Sequence, residues 1–139
     1  MEELTLSRPG ENLVIVVDDD FRIREALESL LASAGNRVVT FNSAEEVLRS
    51  RLLSQAACLI TDVRMSTMSG LELWHLLQRE YPKLPAIIIT GHHDEQIRES
   101  ALSSGAAAFF YKPIDPDNLL RALQGAIDAS EKDVSGTSE

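Results

Sequence analysis

The sequence predicts an α/β protein in which five parallel strands alternate with five helices in one domain. Compact apolar runs alternate with stretches of helical spacing in units of roughly 20–25 residues, a pattern that calls for right-handed crossovers. Two of the runs, Leu13–Val17 and Cys58–Asp62, are continuous, as in strands buried on both faces. One is followed by aspartates and the other ends on one. Carboxylates are therefore expected at the carboxyl edge of a sheet covered on both faces, where α/β proteins bind ligands.

The first half of the chain supplies two strands and two helices. After the strand Leu13–Val17, apolar residues recur at helical spacing up to Gly35, which provides a C-terminal stop. Arg37–Phe41 is rich in β-branched residues and is expected to be the second strand. Ser43 opens a capping-box pattern, and the helix that it starts is expected to continue to Leu52.

The elements after the central strand follow the same alternation. Residues 63–70 are expected to form a loop, and Leu71–Glu80 a helix that ends before Pro82. Ala86–Thr90 is the most strongly strand-like run in the chain. The residues between Asp94 and Gly105 carry a cap at one end and a glycine stop at the other, which predicts a shorter helix.

A fifth strand and a fifth helix complete the predicted domain. Ala107–Tyr111 is strand-like, and the Asp115-Pro116 pair provides an N-cap with proline at the first helical position. The polar ends of the sequence are expected to lie outside the packed core. The resulting division is a disordered lead-in over residues 1–11, a domain over residues 12–130 and a polar tail or linker over residues 131–139.

Composition and charge narrow the possible functions. A chain of 139 residues with 44% hydrophobic and 25% charged residues is typical of a globular domain, and no apolar run approaches the roughly 20 residues of a membrane span. Its acidic start, Met1-Glu2-Glu3, is unlike a signal peptide and favours a cytoplasmic location. The net charge of −9 argues against direct nucleic-acid binding and suits a cation site. Cys58 is expected to be a buried hydrophobe.

The strand ends carry chemically complementary groups. Carboxylates that lie close together resist ionising together unless a cation neutralises them, and a hard cation such as Mg²⁺ prefers oxygen ligands. With an ammonium and a hydroxyl, such a site could bind the oxygens of a phosphoryl group while one carboxylate acts as nucleophile and forms an acyl phosphate. The residues at these strand ends are Asp18, Asp19, Asp20, Asp62, Thr90 and Lys112.

The strand-end residues and their neighbours in the sequence form motifs that resemble those of the receiver domain of two-component response regulators. Each motif alone is common, but together they occur in the family's order and spacing over roughly residues 12–130. The resemblance implies a CheY-like, flavodoxin-like fold with a doubly wound sheet of strand order 2-1-3-4-5. The matching motifs are Val17–Asp20, Asp62–Gly70, Ile89–Gly91 and Lys112–Pro113, of which the last would contain a cis peptide bond.

The resemblance also implies roles for the acidic residues. Asp62 matches the residue that accepts a phosphoryl group with Mg²⁺ bound. Asp19 matches the direct metal ligand, and Asp18 the acid that holds the metal through water or completes the acidic pocket. Arg64 would contribute its backbone carbonyl to the metal. Asp20, by contrast, is expected to cap the first helix rather than serve as a third ligand.

Further matches imply a switch. Thr90 corresponds to the switch hydroxyl, Lys112 to the lysine that contacts the phosphoryl group, and Phe109 to the aromatic switch residue. The side chains of Arg64 and His92 occupy positions that tune the lifetime of the aspartyl phosphate in the family. The implied protein is a phosphoacceptor signalling domain in phosphorelay signal transduction, not an enzyme with a separate substrate, although it assists its own phosphorylation and dephosphorylation.

The implied partners are a sensor histidine kinase or a phosphotransfer protein. A homodimer could form through the face built from the fourth helix, the fifth strand and the fifth helix. One position departs from the family, because Ser66 stands where proline is usual. Serine does not fix φ, so the loop after Asp62 is expected to be more flexible than the same loop in family members that have proline.

The sequence leaves two alternatives open. A haloacid-dehalogenase-like phosphatase would use Asp18 as nucleophile and Asp20 as general acid. This interpretation would leave Asp62 without a role, and the chain lacks a convincing acidic pair on a strand after Lys112. A degenerate receiver would act only as a protein-interaction module, which the intact acidic set disfavours.

Overall fold

A computed structural model describes residues 11–137, with side chains through Glu131. It contains one sheet of five parallel strands in the order β2-β1-β3-β4-β5, as expected. The strands are β1 Leu13–Val17, β2 Arg37–Phe41, β3 Ala56–Asp62, β4 Ala86–Thr90 and β5 Ala108–Tyr111. The helices are α1 Phe21–Ser33, α2 Ala44–Arg49, α3 Gly70–Glu80, α4 Glu95–Ser103 and α5 Pro116–Thr137, with a 3₁₀ helix at Leu53–Gln55.

The register of the strands brings their carboxyl ends to one edge. Val17 pairs with Thr61, so Asp18 and Asp62 follow neighbouring positions on adjacent strands. On the other side of β3, Asp62 pairs with Ile89, one residue before the end of β4. Thr90 in turn pairs with the last residue of β5, after which Lys112 follows. The expectation that polar strand ends gather at one edge is confirmed.

Helices cover both faces of the sheet, because alternate strand residues point to opposite sides. Ile15, Leu59 and Ile88 belong to one hydrophobic cluster, together with the buried Trp74 of α3. A second cluster on the other face contains Val14, Ile60, Ile87 and residues of α1 and α5. The three central strands are fully buried along most of their length, which explains their continuous apolar runs.

The start of α3 and the start of β5 each differ by one residue from the sequence-based expectation, and larger differences occur at the end of α2 and the start of β3. The prediction that α2 continues to Leu52 is wrong, because Ser50 takes an extended conformation (φ −76°, ψ 163°) and α2 ends at Arg49. The Val47 carbonyl in the last turn accepts from both the Ser50 hydroxyl, at 2.8 Å, and the Ser50 amide, at 3.0 Å. The chain then forms the 3₁₀ helix, and β3 starts at Ala56 rather than Cys58.

The two ends of the chain bear differently on the expected division. The lead-in lies almost wholly outside the described residues, which begin at residue 11. At the other end, α5 runs to Thr137, so the backbone of the expected polar tail is helical as far as it is described. Within residues 11–137, no helix is both long and apolar enough to cross a bilayer.

Cys58 lies in the middle of β3 and is fully buried. Its burial raises the pKa of the thiol to about 12. A thiol with such a pKa carries almost no thiolate near neutral pH, so Cys58 behaves as a small core residue, as its position in the sequence suggests.

Candidate functional site

Three carboxylates converge at the carboxyl edge of the sheet. One oxygen from each of Asp18, Asp19 and Asp62 lies within 4.8 Å of the others. Asp18 is fully buried and Asp62 is 6% exposed, whereas Asp19 faces solvent. Such a group of oxygens, closed on the sheet side and open on the other, fits a small hard cation that retains water ligands. The structure therefore brings together the three side chains expected to bind Mg²⁺.

Lys112 reaches into this cluster from the end of β5. Its ammonium lies 2.8 Å from Asp18 Oδ2 and 3.6 Å from Asp62 Oδ1. Burial alone would lower the pKa of Lys112, but the hydrogen bond and charge of Asp18, with the charge of Asp62, raise it overall. The side chain is 18% exposed and stays positively charged at the edge of the site.

Asp62 is held in an environment that disfavours its ionised form. Burial, followed by the charge of Asp18, raises its pKa from 3.8 to about 6; Lys112 opposes this shift and Asp19 adds to it. Since burial and like charges cause the shift, a divalent cation among the three carboxylates would reverse it. A bound cation would therefore favour the ionised form of Asp62.

The backbone of Asp18 is fixed by contacts from two directions. Its amide donates to the Phe41 carbonyl at 3.2 Å, and its carboxylate accepts from the Asp20 amide at 2.9 Å. The Arg24 guanidinium donates to the Asp18 carbonyl at 2.7 Å and to Asn42 Oδ1 at 3.2 Å. Arg24 thus joins the loop after β1 to the loop after β2. Arg24 carries no motif of its own, so the sequence alone does not point to this role.

Asp20 has the capping role expected from the sequence. Its carboxylate accepts a hydrogen bond from the Arg22 amide at 2.9 Å, which caps the start of α1. The same oxygen lies 3.8 Å from the Arg22 side chain. With its carboxylate engaged at the helix start, Asp20 is poorly placed to act as the general acid of a phosphatase.

Gly70 lies against the backbone of the strand that ends at Asp62. A Cβ atom at this position would lie 2.0 Å from the Asp62 carbonyl oxygen and 2.7 Å from Thr61 Oγ1. The Gly70 amide also donates to the Val63 carbonyl at 2.9 Å, which closes the loop after β3. In the sequence Gly70 stands out only as the last residue of the Asp62–Gly70 motif, and its packing role is visible only in the structure.

We expect Gly70→Ala to destabilise the protein by about 2 kcal/mol, because a methyl group cannot fit without moving the backbone of Asp62. Urea unfolding followed by Trp74 fluorescence would measure the change. Gly125→Ala is a suitable control, since a Cβ there meets nothing within 4 Å and alanine favours the helix. Equal stability of wild type and Gly70→Ala would contradict the close approach.

Thr90 lies at the end of β4 and is 3% exposed. Its hydroxyl accepts a hydrogen bond from the His92 amide at 3.2 Å, and its carbonyl accepts from the Lys112 amide at 2.8 Å. The side chains of His92 and Arg64 are exposed on the loops that follow β4 and β3. Arg64, Thr90, His92 and Lys112 thus lie at or just after the carboxyl ends of three neighbouring strands, β3, β4 and β5.

The aromatic residues of β5 point to the faces expected from strand alternation. Phe109 packs against the cluster that contains Trp74, and Phe110 against the cluster on the opposite face. The Phe109 ring meets Tyr111 edge-on, with centroids 5.4 Å apart, and His93 stacks on Tyr111 at 3.8 Å. Phe109 is only partly buried.

The fold and the site together define a doubly wound α/β protein of the CheY-like class, with an acidic site at the carboxyl edge of its sheet. The chain belongs to the response regulator receiver domain family, whose family model matches residues 14–124. It is thus a receiver domain of two-component signalling. The Lys112–Pro113 peptide bond is cis, as the resemblance implies.

Known proteins of this family resemble the chain along most of its length. It is 40% identical over 117 residues to the response regulator protein TmoT of Ectopseudomonas mendocina, covering 84% of this chain and 53% of TmoT. A receiver domain structure from Clostridium thermocellum has a TM-score of 0.80 and 29% identity, covering 86% of this chain and 97% of that one. Full-length FixJ from B. japonicum has a TM-score of 0.78 and 32% identity, with coverage of 89% and 61%. The chain therefore spans about half the length of TmoT.

Proposed function

We propose that Asp62 accepts a phosphoryl group from a phosphohistidine of a sensor histidine kinase or a phosphotransfer protein. The observation that carries this proposal is the cluster of Asp18, Asp19 and Asp62 in contact with the Lys112 ammonium. A nucleophilic carboxylate beside two further carboxylates needs compensating positive charge, and a transferring phosphoryl group needs the same charge on its oxygens. One site meets both needs.

The transfer requires no further reactant. A carboxylate oxygen of Asp62 attacks phosphorus, and the bond from phosphorus to the histidine nitrogen breaks as the acyl phosphate forms. The electron pair of that bond stays on the nitrogen, and the imidazole leaves as a neutral group because its other ring nitrogen carries a proton. The Lys112 ammonium, 3.6 Å from Asp62 Oδ1, is placed to bind an oxygen of the incoming group. The Thr90 hydroxyl can donate to another of these oxygens while it continues to accept from the His92 amide.

The residues present fit Mg²⁺. Asp19 and Asp62 would bind it directly, Asp18 would hold it through water or complete the acidic pocket, and Arg64 would contribute its backbone carbonyl. The bound ion would neutralise the carboxylates and the charge on the phosphoryl oxygens. Asp18 keeps its ion pair with Lys112, so this acid also positions the lysine.

The proposal extends to signalling. Thr90 moves toward the phosphoryl group, and Phe109 changes rotamer on the face formed by α4, β5 and α5, which shifts a pre-existing conformational population. That face then binds a partner or a second copy of the chain. Arg64 and His92 tune the lifetime of the acyl phosphate from their exposed positions. The phosphoryl transfer takes place in the cytoplasm, and this acidic domain does not itself bind nucleic acid.

Intact-mass spectrometry after incubation with acetyl phosphate tests the chemistry. We expect wild type to gain the mass of one phosphoryl group when Mg²⁺ is present and none when EDTA removes the metal, because the carboxylates would then repel the donor. Hydroxylamine should remove the label, as expected for an acyl phosphate. Absence of a label with Mg²⁺ would contradict the proposal and favour a module that only binds partners.

A further inference from the structure

The loop after β3, residues 63–69, is firmly attached at both ends. At its start, the Val63 amide donates to the Ile89 carbonyl at 3.0 Å. At its end, Ser69 and Glu72 form a capping box, with hydrogen bonds of 3.1 Å and 2.9 Å, and the Gly70 amide returns to Val63. The Ser-x-x-Glu pattern of this box is visible in the sequence.

The middle of the loop is held by a contact to another helix. Thr67 Oγ1 donates to Glu45 Oε2 of α2 at 2.5 Å. Glu45 lies in the first turn of α2, whose start is fixed by the hydrogen bond from the Glu46 amide to Ser43 Oγ at 3.2 Å. The acceptor therefore belongs to a capped helix end, whereas the donor belongs to an exposed loop.

The electrostatic setting favours a charged acceptor. The hydrogen bond from Thr67 is the largest cause that lowers the pKa of Glu45, and the amides of Glu45 and Met68 lower it further. Glu45 is thus ionised at neutral pH, and a hydrogen bond to a carboxylate is stronger than one between neutral groups. Met65 and Met68 flank this contact and are partly buried against the core, so the loop also packs inward on either side.

We propose that Glu45 and Thr67 are positioning residues that hold the middle of the loop in the shape the acidic site requires, in place of the proline that is absent at Ser66. This inference rests on the proposed function. Ser66 is exposed and adjacent to Thr67, so the contact restricts the chain at the point where a fixed φ is missing. The group that it positions is the backbone carbonyl of Arg64, which lies between Asp62 and the contact.

The test compares Thr67→Val, which removes the hydroxyl at nearly constant shape, with Thr67→Ser, which keeps it. Hydrogen–deuterium exchange of residues 63–69 in metal-free protein should be roughly fivefold faster in Thr67→Val, the factor that corresponds to one hydrogen bond. Thr67→Ser should exchange like wild type. Glu28→Gln, an exposed charge change on α1, serves as the control for Glu45→Gln, which should show a smaller increase.

Labelling with acetyl phosphate then separates positioning from a purely structural role. In Thr67→Val we expect the half-saturating Mg²⁺ concentration to rise roughly fivefold with little change in the maximal rate, because one ligand is less well placed. Combining Thr67→Val with Ser66→Pro should restore both loop exchange and the Mg²⁺ requirement, since proline supplies the missing restriction.

The two measurements test the loop restraint, the positioning role and the proposed phosphoryl acceptance separately. Unchanged exchange in Thr67→Val would overturn the contact as a restraint. Faster exchange with an unchanged Mg²⁺ requirement would overturn the positioning role. If wild type takes up no phosphoryl group at all, the proposed function fails, whereas the exchange measurement still decides whether Glu45 and Thr67 hold the loop.

Discussion

Asp62→Asn is expected to abolish phosphoryl labelling completely. The amide oxygen of asparagine is a poor nucleophile, and an acyl phosphate cannot form on it. Intact-mass spectrometry after incubation with acetyl phosphate and Mg²⁺ would show one phosphoryl group on wild type and none on the variant. Asp117→Asn, an exposed change of the same kind in α5, should label like wild type. A label that persisted and mapped to Asp18 would instead favour the phosphatase alternative.

The same substitution is expected to stabilise the metal-free protein at neutral pH. Burial and the charge of Asp18 raise the pKa of Asp62 from 3.8 to about 6. Between these values the folded protein keeps a proton that the unfolded chain has lost. The contribution of Asp62 to stability is therefore full below about pH 4 and is lost as pH rises through about 6, so ionised Asp62 opposes folding at pH 7.

This effect gives a measurement that does not depend on phosphorylation. We expect Asp62→Asn to raise the free energy of unfolding at pH 7 by about 2 kcal/mol in the presence of EDTA, and by little at pH 4. Urea unfolding at a series of pH values would measure both. Saturating Mg²⁺ should stabilise wild type more than the variant, which has lost a charged ligand. A variant less stable than wild type at pH 7 with EDTA would contradict this account of the site.

The fold could be predicted from the sequence because its central strands are buried on both faces. The runs in β1 and β4 match the observed boundaries at both ends, since burial on both faces leaves a continuous apolar signal. The end of α2 could not be predicted in the same way. Leu52 fits helical spacing, but Ser50 ends the helix through a local hydrogen bond that the periodicity does not contain.

The part of the site that could be predicted from the sequence is the set of carboxylates at the strand ends. The gathering of Asp18, Asp19 and Asp62 follows from parallel topology. The contacts that Arg24 and Thr67 make through their side chains could not be foreseen, because neither partner is unusual by itself. Arg24 and Thr67 are ordinary surface residues in the sequence, and their partners became apparent only from the packing of the loops.

Lys112→Met is expected to have the second large effect, because it leaves a fully buried carboxylate without its cation. Lys112 lies 2.8 Å from Asp18 and also faces Asp62, whose pKa it holds down. Removing one partner of a buried pair typically costs about 3–5 kcal/mol, and the 18% exposure of Lys112 places the expected loss near the lower limit, about 3 kcal/mol. Urea unfolding at pH 7 in EDTA would measure it.

Arg51→Met, an exposed loss of the same charge, should leave stability nearly unchanged. Mg²⁺ should restore much of the stability of Lys112→Met, because the ion supplies positive charge to the same carboxylates. In Lys112→Met, phosphoryl labelling of Asp62 should slow but persist. The conformational change that phosphorylation causes at the face of α4, β5 and α5 should be lost, because no lysine binds the phosphoryl oxygens. If hydrogen–deuterium exchange of Phe109–Tyr111 in Lys112→Met responded to phosphorylation as in wild type, Lys112 would have no role in this conformational change. In that case Thr90 alone would link the phosphoryl group to β5, through the 2.8 Å hydrogen bond between its carbonyl and the residue 112 amide.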